Sequence, residues 1–190
     1  MNLPNKLTIV RMILAPIYLI LMIVEFPYHY LAARIVFALA AITDALDGHI
    51  ARKNNLITAF GKLTDPLADK MLTTAALLAF MDQGLCSIWI VMIVLTREFA
   101  VTSVRLVASA QGVVIPANIW GKAKTVSQMV STIIIMLLAQ LEATFNIFQY
   151  TGWLTLARTS NILLWFTAIM TVISGVTYLV DGKKYIDFSK

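Results

Sequence analysis

Four aspartates lie close together in the segment DALDGHIARKNNLITAFGKLTDPLADK, which runs from Asp44 to Lys70. Asp44 and Asp47 are three residues apart, and Asp65 and Asp69 are four apart, so on a helix each pair shares one face. Oxygen-only ligand sets are typical of magnesium or manganese sites rather than zinc sites. Two such ions held by shared carboxylates can polarise a phosphoryl group and stabilise its entering and leaving oxygens. The segment therefore predicts a two-metal site for phosphoryl transfer.

Small and basic residues accompany these acids. Gly48 and Ala51 follow Asp44 at helical spacings of four and seven, and they keep that face open for a ligand to approach the backbone. Gly61 does the same at the entrance to the next helix. Arg52 lies beside this face and can pair with a phosphate or with an aspartate. The alternative is that the aspartates form buried ion pairs with neighbouring cations and hold the helices of a channel or transporter together.

The composition predicts the elements that must position these residues. The chain is 59% hydrophobic and only 13% charged, which leaves too few polar residues to cover a soluble domain. Its apolar stretches approach the roughly 20 residues that cross a bilayer as a helix. We therefore expect an all-α polytopic membrane protein, with residues 1–190 forming a single domain. The six predicted transmembrane helices are Leu7–Val24, Leu31–Ala51, Leu63–Met81, Ile88–Ala108, Thr125–Leu141 and Ile162–Val180. The short connection between the second and third makes them antiparallel neighbours, so the four carboxylates would converge.

The charge pattern predicts an orientation. Lysine and arginine collect on one side of the predicted helices, and by the positive-inside rule that side is cytoplasmic. Both termini and the connection 52–62 would then face the cytoplasm from the cell (inner) membrane, and an even number of crossings agrees. The net charge of +5 fits anionic lipid headgroups or phosphorylated substrates, and we expect no nucleic-acid partner. The single cysteine, Cys86, excludes an intramolecular disulfide and is predicted to be a packed small residue.

A second set of basic residues predicts a phosphate site. Arg97 and Arg105 are eight residues apart, about two helical turns, so they share one face of the fourth predicted helix. Lys122 and Lys124 open the fifth, where free backbone amides also favour an anion. Together they suit a phosphate on an acceptor molecule. Two other interpretations remain: that the cations only anchor the helices at the interface, and that Arg97 forms a structural ion pair with Glu98.

The acidic segment resembles the signature of the CDP-alcohol phosphotransferase family. The matching residues are Asp44, Asp47, Gly48, Ala51, Arg52, Gly61, Asp65 and Asp69. The resemblance implies six transmembrane helices, a cytoplasm-facing active site and a homodimer. It also implies metal binding by all four aspartates, with Asp69 as the general base. The CDP group would be held by Asp44, Gly48, Ala51, Arg52 and Gly61.

Other segments resemble the bacterial members of this family that make phosphatidylglycerophosphate. These segments are the amino-terminal MNLPNKLTIVRMILAP, the fourth helix with its Arg97–Glu98 pair, and GKAKT. The resemblance implies that the substrates are CDP-diacylglycerol and sn-glycerol 3-phosphate. It also places Asn5, Thr8 and Arg11 near the mouth of the active site, without individual roles.

Three alternatives stay open at this point. The same chemistry could use another acceptor, such as inositol phosphate, serine or phosphatidylglycerol, although the basic set favours a phosphorylated one. The aspartates could instead form the ion site of a divalent-cation channel or carrier, but both acid pairs lie toward one side of the membrane. A degenerate, scaffolding family member is disfavoured because every signature aspartate is present.

Overall fold

The protein is built from helices. The computed structural model describes residues 2–53, 59–111, 118–150 and 153–182, and these contain no strand. The helices are α1 (Leu3–Ile23), α2 (His29–Lys53), α3 (Ala59–Asp82), α4 (Ile88–Ala110), α5 (Ile119–Phe145) and α6 (Leu156–Gly182), with a short 3₁₀ helix at Ile147–Tyr150. The predicted all-α class is confirmed. Helices α5 and α6 each begin six residues before their predicted starts, because hydropathy alone does not detect a polar first turn.

Within the described residues, three helices are long and apolar enough to cross a membrane: Asn5–Ile23, Ile119–Phe145 and Leu156–Asp181. A shorter apolar helical segment covers His29–Thr43. Large apolar side chains such as Ile162 and Phe166 are exposed, as expected where lipid rather than water surrounds a helix. These features support a membrane protein. The six crossings, the cytoplasmic termini and the inner membrane stay predictions.

The chain divides into two compact units. The first contains Met1–Gly84 and Met136–Ile147, and the second contains Leu85–Ile135 and Phe148–Lys190. Helix α5 contributes its first part to the second unit and its last part to the first unit. The predicted acidic site lies wholly in the first unit, and the predicted basic site lies wholly in the second.

The first unit is organised around α1, which packs against both α2 and α3. One face of α1 is buried along its whole length, at spacings of three and four residues. Its members are Asn5, Thr8, Arg11, Ala15, Tyr18 and Met22. The second half of this face is apolar, and the Tyr18 ring lies 5.6 Å from that of Phe37 in α2. The first half is polar, which is unusual for a buried face and needs partners on the neighbouring helices.

Polar contacts connect the helices of the first unit where α1 ends and α2 begins. The Gln83 side chain donates to the carbonyl of Met22 at 2.7 Å, and Arg34 donates to Gln140 of α5 at 3.1 Å. After α3 the chain turns at Gly84, whose φ of +69° suits glycine. Cys86 follows in the connection to α4, where burial raises the pKa of its thiol to about 12. The thiol therefore stays protonated, in agreement with the prediction of a packed small residue.

The second unit packs α4 alongside α6, with the first part of α5 against them. The backbone amide of Ser87 donates to Asn161 at 3.1 Å where α4 and α6 begin, and later contacts follow in the same order, so the two helices run parallel. The buried face of α6 is rich in small polar residues. Its polar members are Ser160, Thr167, Thr171, Ser174 and Tyr178. Thr167 meets Ser131 of α5 at 3.2 Å. Small hydroxyl side chains let helices approach closely where the hydrophobic effect does not drive their association.

Candidate functional site

The backbone is helical at all four predicted aspartate positions, as their spacing predicted. Residues 44 and 47 lie in α2, and residues 65 and 69 lie in α3, so each pair occupies one face of its helix. Most of the predicted acidic-site side chains lie outside the part that the structure describes. These are Asp44, Asp47, Gly48, Ala51, Arg52, Gly61 and Asp69. Their predicted roles therefore remain predictions.

Asp65 is the acidic-site residue whose side chain is described. It is half-buried, and its Oδ1 accepts a hydrogen bond of 2.6 Å from the hydroxyl of Thr8. Thr8 is fully buried in α1. A hydroxyl that donates to a carboxylate fixes the orientation of the group. Helix α1 therefore takes part in positioning the acid of α3.

Thr8 belongs to a buried polar stripe at the amino-terminal end of α1. Asn5 and Arg11, three residues away on either side, are 7% and 1% exposed, and Thr64, beside Asp65, is 9% exposed. The sequence placed Asn5, Thr8 and Arg11 near the active-site mouth without roles, and the structure supplies a contact for Thr8. The signal in the sequence is the recurrence of polar residues every third position within an apolar helix.

The chemistry of the acidic donors fits a hard divalent cation. Asp65 presents carboxylate oxygens, and its contact with Thr8 is the kind of outer hydrogen bond that orients a metal-binding carboxylate. Within the described residues no three histidine, cysteine or acidic side chains form a metal-sized cluster, since three of the four candidate aspartates lie outside them. The two predicted metal ions are therefore left to the proposal below.

The structure brings two of the four predicted acceptor-site cations together. Arg97 of α4 and Lys124 of α5 both contact Oε1 of Glu98, at 3.2 and 2.5 Å. Lys124 is 4% exposed, so it is not a solvent-facing anchor. Arg97 and Glu98 do form the ion pair that the sequence allowed, and Lys124 extends it into a cluster of three charges. We call Arg97, Glu98 and Lys124 the α4–α5 charge cluster.

Helix α6 completes the setting of Arg97. Its Nη2 donates to the hydroxyl of Ser174 at 2.6 Å. Glycines make room for the side chain: a Cβ at Gly175 would lie 3.0 Å from Cγ of Arg97, and one at Gly121 would lie 3.7 Å from its Nη2. The guanidinium is therefore held between three helices.

The other two predicted cations differ from this pair. Arg105 is exposed on α4, where its Nε donates to the hydroxyl of Tyr178 at 2.6 Å and its guanidinium lies 5.0 Å from the ring centroid. Lys122 is exposed on the first turn of α5. Arg97 and Arg105 therefore contact successive turns of α6, at Ser174 and Tyr178, as expected for residues on one face of α4.

Sequence reasoning missed the residues of α6. Ser174 and Tyr178 lie four residues apart on the buried face of a helix whose sequence carries no recognised motif. The only available signal was the regular recurrence of serine and threonine at spacings of three and four, which predicts a polar seam but not its partners.

An apolar groove of about 430 Å³ lies along α4 and α6. Its walls include Trp89, Met92, Val172 and Val176, and the side chain of Arg97 contributes to its lining. The groove is open, and its walls are almost entirely hydrocarbon. It would therefore suit hydrocarbon chains.

Comparisons with known proteins identify the relatives of this chain. A family model, CDP-alcohol phosphatidyltransferase, matches residues 1–173. The chain belongs to this family. The match spans every site residue that the sequence predicted, and it confirms the membership that the acidic signature predicted.

Individual members of the CDP-alcohol phosphatidyltransferase family match nearly the whole chain. A CDP-diacylglycerol–glycerol-3-phosphate 3-phosphatidyltransferase of Bacillus subtilis (strain 168) is 39% identical over 189 aligned residues, covering 93% of each chain. Proteins of the same name from Rickettsia bellii (strain RML369-C) and Pseudomonas fluorescens are 34% and 33% identical, over 97% and 98% of this chain and 97% and 96% of their own lengths.

The bond between Thr8 and Asp65 can be tested by a double-mutant cycle. Thr8→Val keeps the shape of the side chain and removes the donor, so we expect the free energy of unfolding to fall by about 1.5–3 kcal/mol, the range for a hydrogen bond to a charged group. Thr8→Ser, which keeps the hydroxyl, should lose much less. Unfolding in detergent would be measured in the native and Asp65→Ala backgrounds. An equal cost of Thr8→Val in both would contradict the bond.

Proposed function

We propose that this protein transfers the phosphatidyl group of CDP-diacylglycerol to a hydroxyl of sn-glycerol 3-phosphate, which gives phosphatidylglycerophosphate and CMP. The observation that carries the proposal is the similarity, over at least 93% of the chain, to relatives named for this reaction. An acidic segment with the spacing of a metal site and a basic cluster suited to a phosphate agree with it. We further propose that the protein works as a homodimer in the cell (inner) membrane, with six crossings and a cytoplasmic active site.

The acidic residues would handle the CDP-lipid. Asp44, Asp47, Asp65 and Asp69 would hold two Mg²⁺ or Mn²⁺ ions, whose chemistry is to neutralise the carboxylates and polarise the pyrophosphate. The CDP group itself would lie against the small residues and the arginine of the signature. These are Gly48, Ala51, Arg52 and Gly61, together with Asp44. Thr8 would hold the Asp65 carboxylate in its orientation through its hydrogen bond.

Asp69 would act as the general base. Its carboxylate would take the proton from the acceptor hydroxyl, and the resulting oxygen would attack the phosphorus on the lipid side of the pyrophosphate. The bond between that phosphorus and the bridging oxygen breaks, and CMP leaves with the electron pair. Neutralisation of the surrounding carboxylates keeps the base ionised next to other acids.

The basic residues would recognise the phosphate of the acceptor. Arg97 is largely buried and Lys124 is buried, and both contact Glu98. An ion that both cations can contact would be bound in a setting of low dielectric, where charge pairing is strong. Arg105 and Lys122 are exposed and would add attraction for an anionic substrate. A phosphorylated acceptor uses these charges, whereas serine would not.

The function can be tested by CMP release from the purified protein in detergent. With CDP-diacylglycerol and Mg²⁺, we expect release with sn-glycerol 3-phosphate and not with inositol phosphate, serine or phosphatidylglycerol. A chelator should abolish it, and added Mg²⁺ or Mn²⁺ should restore it. Release with another acceptor would keep the chemistry and replace the acceptor. Release with none, together with metal uptake into vesicles, would indicate a cation carrier instead.

The role of Asp69 can be separated from simple metal holding. Asp69→Asn removes the base while keeping the size of the side chain, so we expect turnover to be lost and CDP-diacylglycerol binding to be largely kept. CMP release and equilibrium binding of the labelled lipid would be measured on the same preparation. Asp82→Asn, at the exposed end of α3, is the matched control and should retain both. Joint loss of binding and turnover would assign Asp69 to metal or structure alone.

The acceptor role of Arg105 predicts a selective kinetic defect. Arg105→Ala should raise the KM for sn-glycerol 3-phosphate by roughly tenfold, the effect of about one charged hydrogen bond, with little change in the KM for CDP-diacylglycerol. Tyr178→Phe, which removes the partner hydroxyl and keeps the ring, should have a smaller effect of the same kind. Arg158→Ala is the control at an exposed arginine near the start of α6. An unchanged acceptor KM would remove Arg105 from the site.

A further inference from the structure

Glu98 is the one acid of the α4–α5 charge cluster, and it contacts both cations. Its Oε1 accepts from Nη1 of Arg97 at 3.2 Å and from Nζ of Lys124 at 2.5 Å. The side chain is only 18% exposed. A carboxylate oxygen shared in this way fixes the two cations on neighbouring helices at a single distance from each other.

Within the α4–α5 charge cluster, Arg97 has a hydrogen-bond donor that does not bind Glu98. Arg97 and Lys124 carry two positive charges against the one negative charge of Glu98, so the cations outnumber the acid within the cluster. Among the described residues, Nε of Arg97 is buried and has no hydrogen-bond partner. An arginine in a largely buried setting normally satisfies its donors, so this Nε is a donor that a further acceptor could satisfy.

The contacts of Arg97 with Glu98, Ser174 and Gly175 hold its side chain in one orientation. Glu98 takes one terminal nitrogen and Ser174 takes the other, while the stem packs against Gly175. An arginine needed only to balance one acid would not require a second anchor on another helix. Two anchors hold the plane of the guanidinium, which is what bidentate recognition of a phosphate needs.

We propose that Glu98 is a positioning residue, which sets Arg97 and Lys124 in the arrangement that binds the phosphate monoester of the acceptor. The proposal rests on the proposed function, since it assumes a phosphorylated acceptor. Glu98 does not touch the acceptor. It prevents the two cations from separating by mutual repulsion, and it leaves the remaining donors of Arg97 available to the phosphate.

A purely structural ion pair makes a different prediction. If Glu98 only neutralised charge within the membrane, its loss would lower stability and affect both substrates alike. If it positions the cations, its loss raises the KM for the acceptor alone, because the CDP-lipid is bound by other residues. The split between the two KM values therefore separates the two roles.

The experiment measures CMP release by the full-length protein in detergent, with CDP-diacylglycerol and either sn-glycerol 3-phosphate or inositol phosphate. Glu98→Gln keeps the size of the side chain and removes its charge. We expect it to raise the acceptor KM by roughly tenfold to a hundredfold, the range for losing a hydrogen bond to a charged group. The KM for CDP-diacylglycerol should stay near that of the unmodified protein. Glu25→Gln, the same change at an exposed site between α1 and α2, is the control.

Two further variants test the proposal independently of the folding of Glu98→Gln. Glu98→Asp keeps the charge and should recover part of the acceptor affinity, and Ser174→Ala keeps every charge but removes the second anchor of Arg97. Ser174→Ala should raise the same KM by a smaller factor. This pattern would support the proposal even if Glu98→Gln folded poorly.

The outcomes distinguish this proposal from the proposed function. If the unmodified protein uses a phosphorylated acceptor but the Glu98 and Ser174 variants leave its KM at the level of Glu25→Gln, the positioning role is overturned and the function stands. Equal changes in both KM values would also overturn it, in favour of a structural ion pair. If the unmodified protein uses no phosphorylated acceptor, both proposals fail together.

Discussion

The need to provide partners for charged and polar side chains inside an apolar helical protein governs this structure. A charged residue at the centre of a membrane helix costs about 2.5–3.5 kcal/mol on insertion scales, and more if its charge stays unmatched. In the described core, charged side chains have partners on neighbouring helices, which lower this cost. Glu98 joins Arg97 to Lys124, and Thr8 binds Asp65. These same contacts determine which helices pack together at their polar ends.

The packing of the helices follows from these partnerships. In the first unit, the buried face of α1 is polar over its first half, where Thr8 binds Asp65 of α3, and it is aromatic or aliphatic over its second half. In the second unit, serines and threonines line α6 and meet α5 and Arg97. Small residues allow both arrangements, since Gly121 and Gly175 leave room for the arginine. Hydrogen bonds between helices and close packing at glycines thus stabilise helix association, which the hydrophobic effect does not drive in lipid.

The two candidate sites use charge in opposite ways. The acidic segment concentrates negative charge and would need cations to become stable, so it would bind its CDP-lipid only together with metal. The α4–α5 charge cluster is already compensated by Glu98, so it can persist without substrate and still attract an anion. This division matches a reaction between a metal-dependent nucleotide lipid and a phosphorylated acceptor. In the proposed reaction, Glu98 would position the two cations without contacting either substrate.

The sequence alone determined the class of the protein, its six helices, its family and the acidic signature. These features depend only on local spacing and composition, so they can be predicted without knowledge of the fold. For example, Asp44 and Asp47 share a helical face wherever that helix lies. The tertiary structure decided the partners. That Thr8 binds Asp65, 57 residues away, and that Ser174 binds Arg97, 77 residues away, depends on how helices pack. It also separated Lys124 from Lys122, which are two residues apart, because residues two apart on a helix point to different sides. Only the packing determines which of those sides is buried against Glu98.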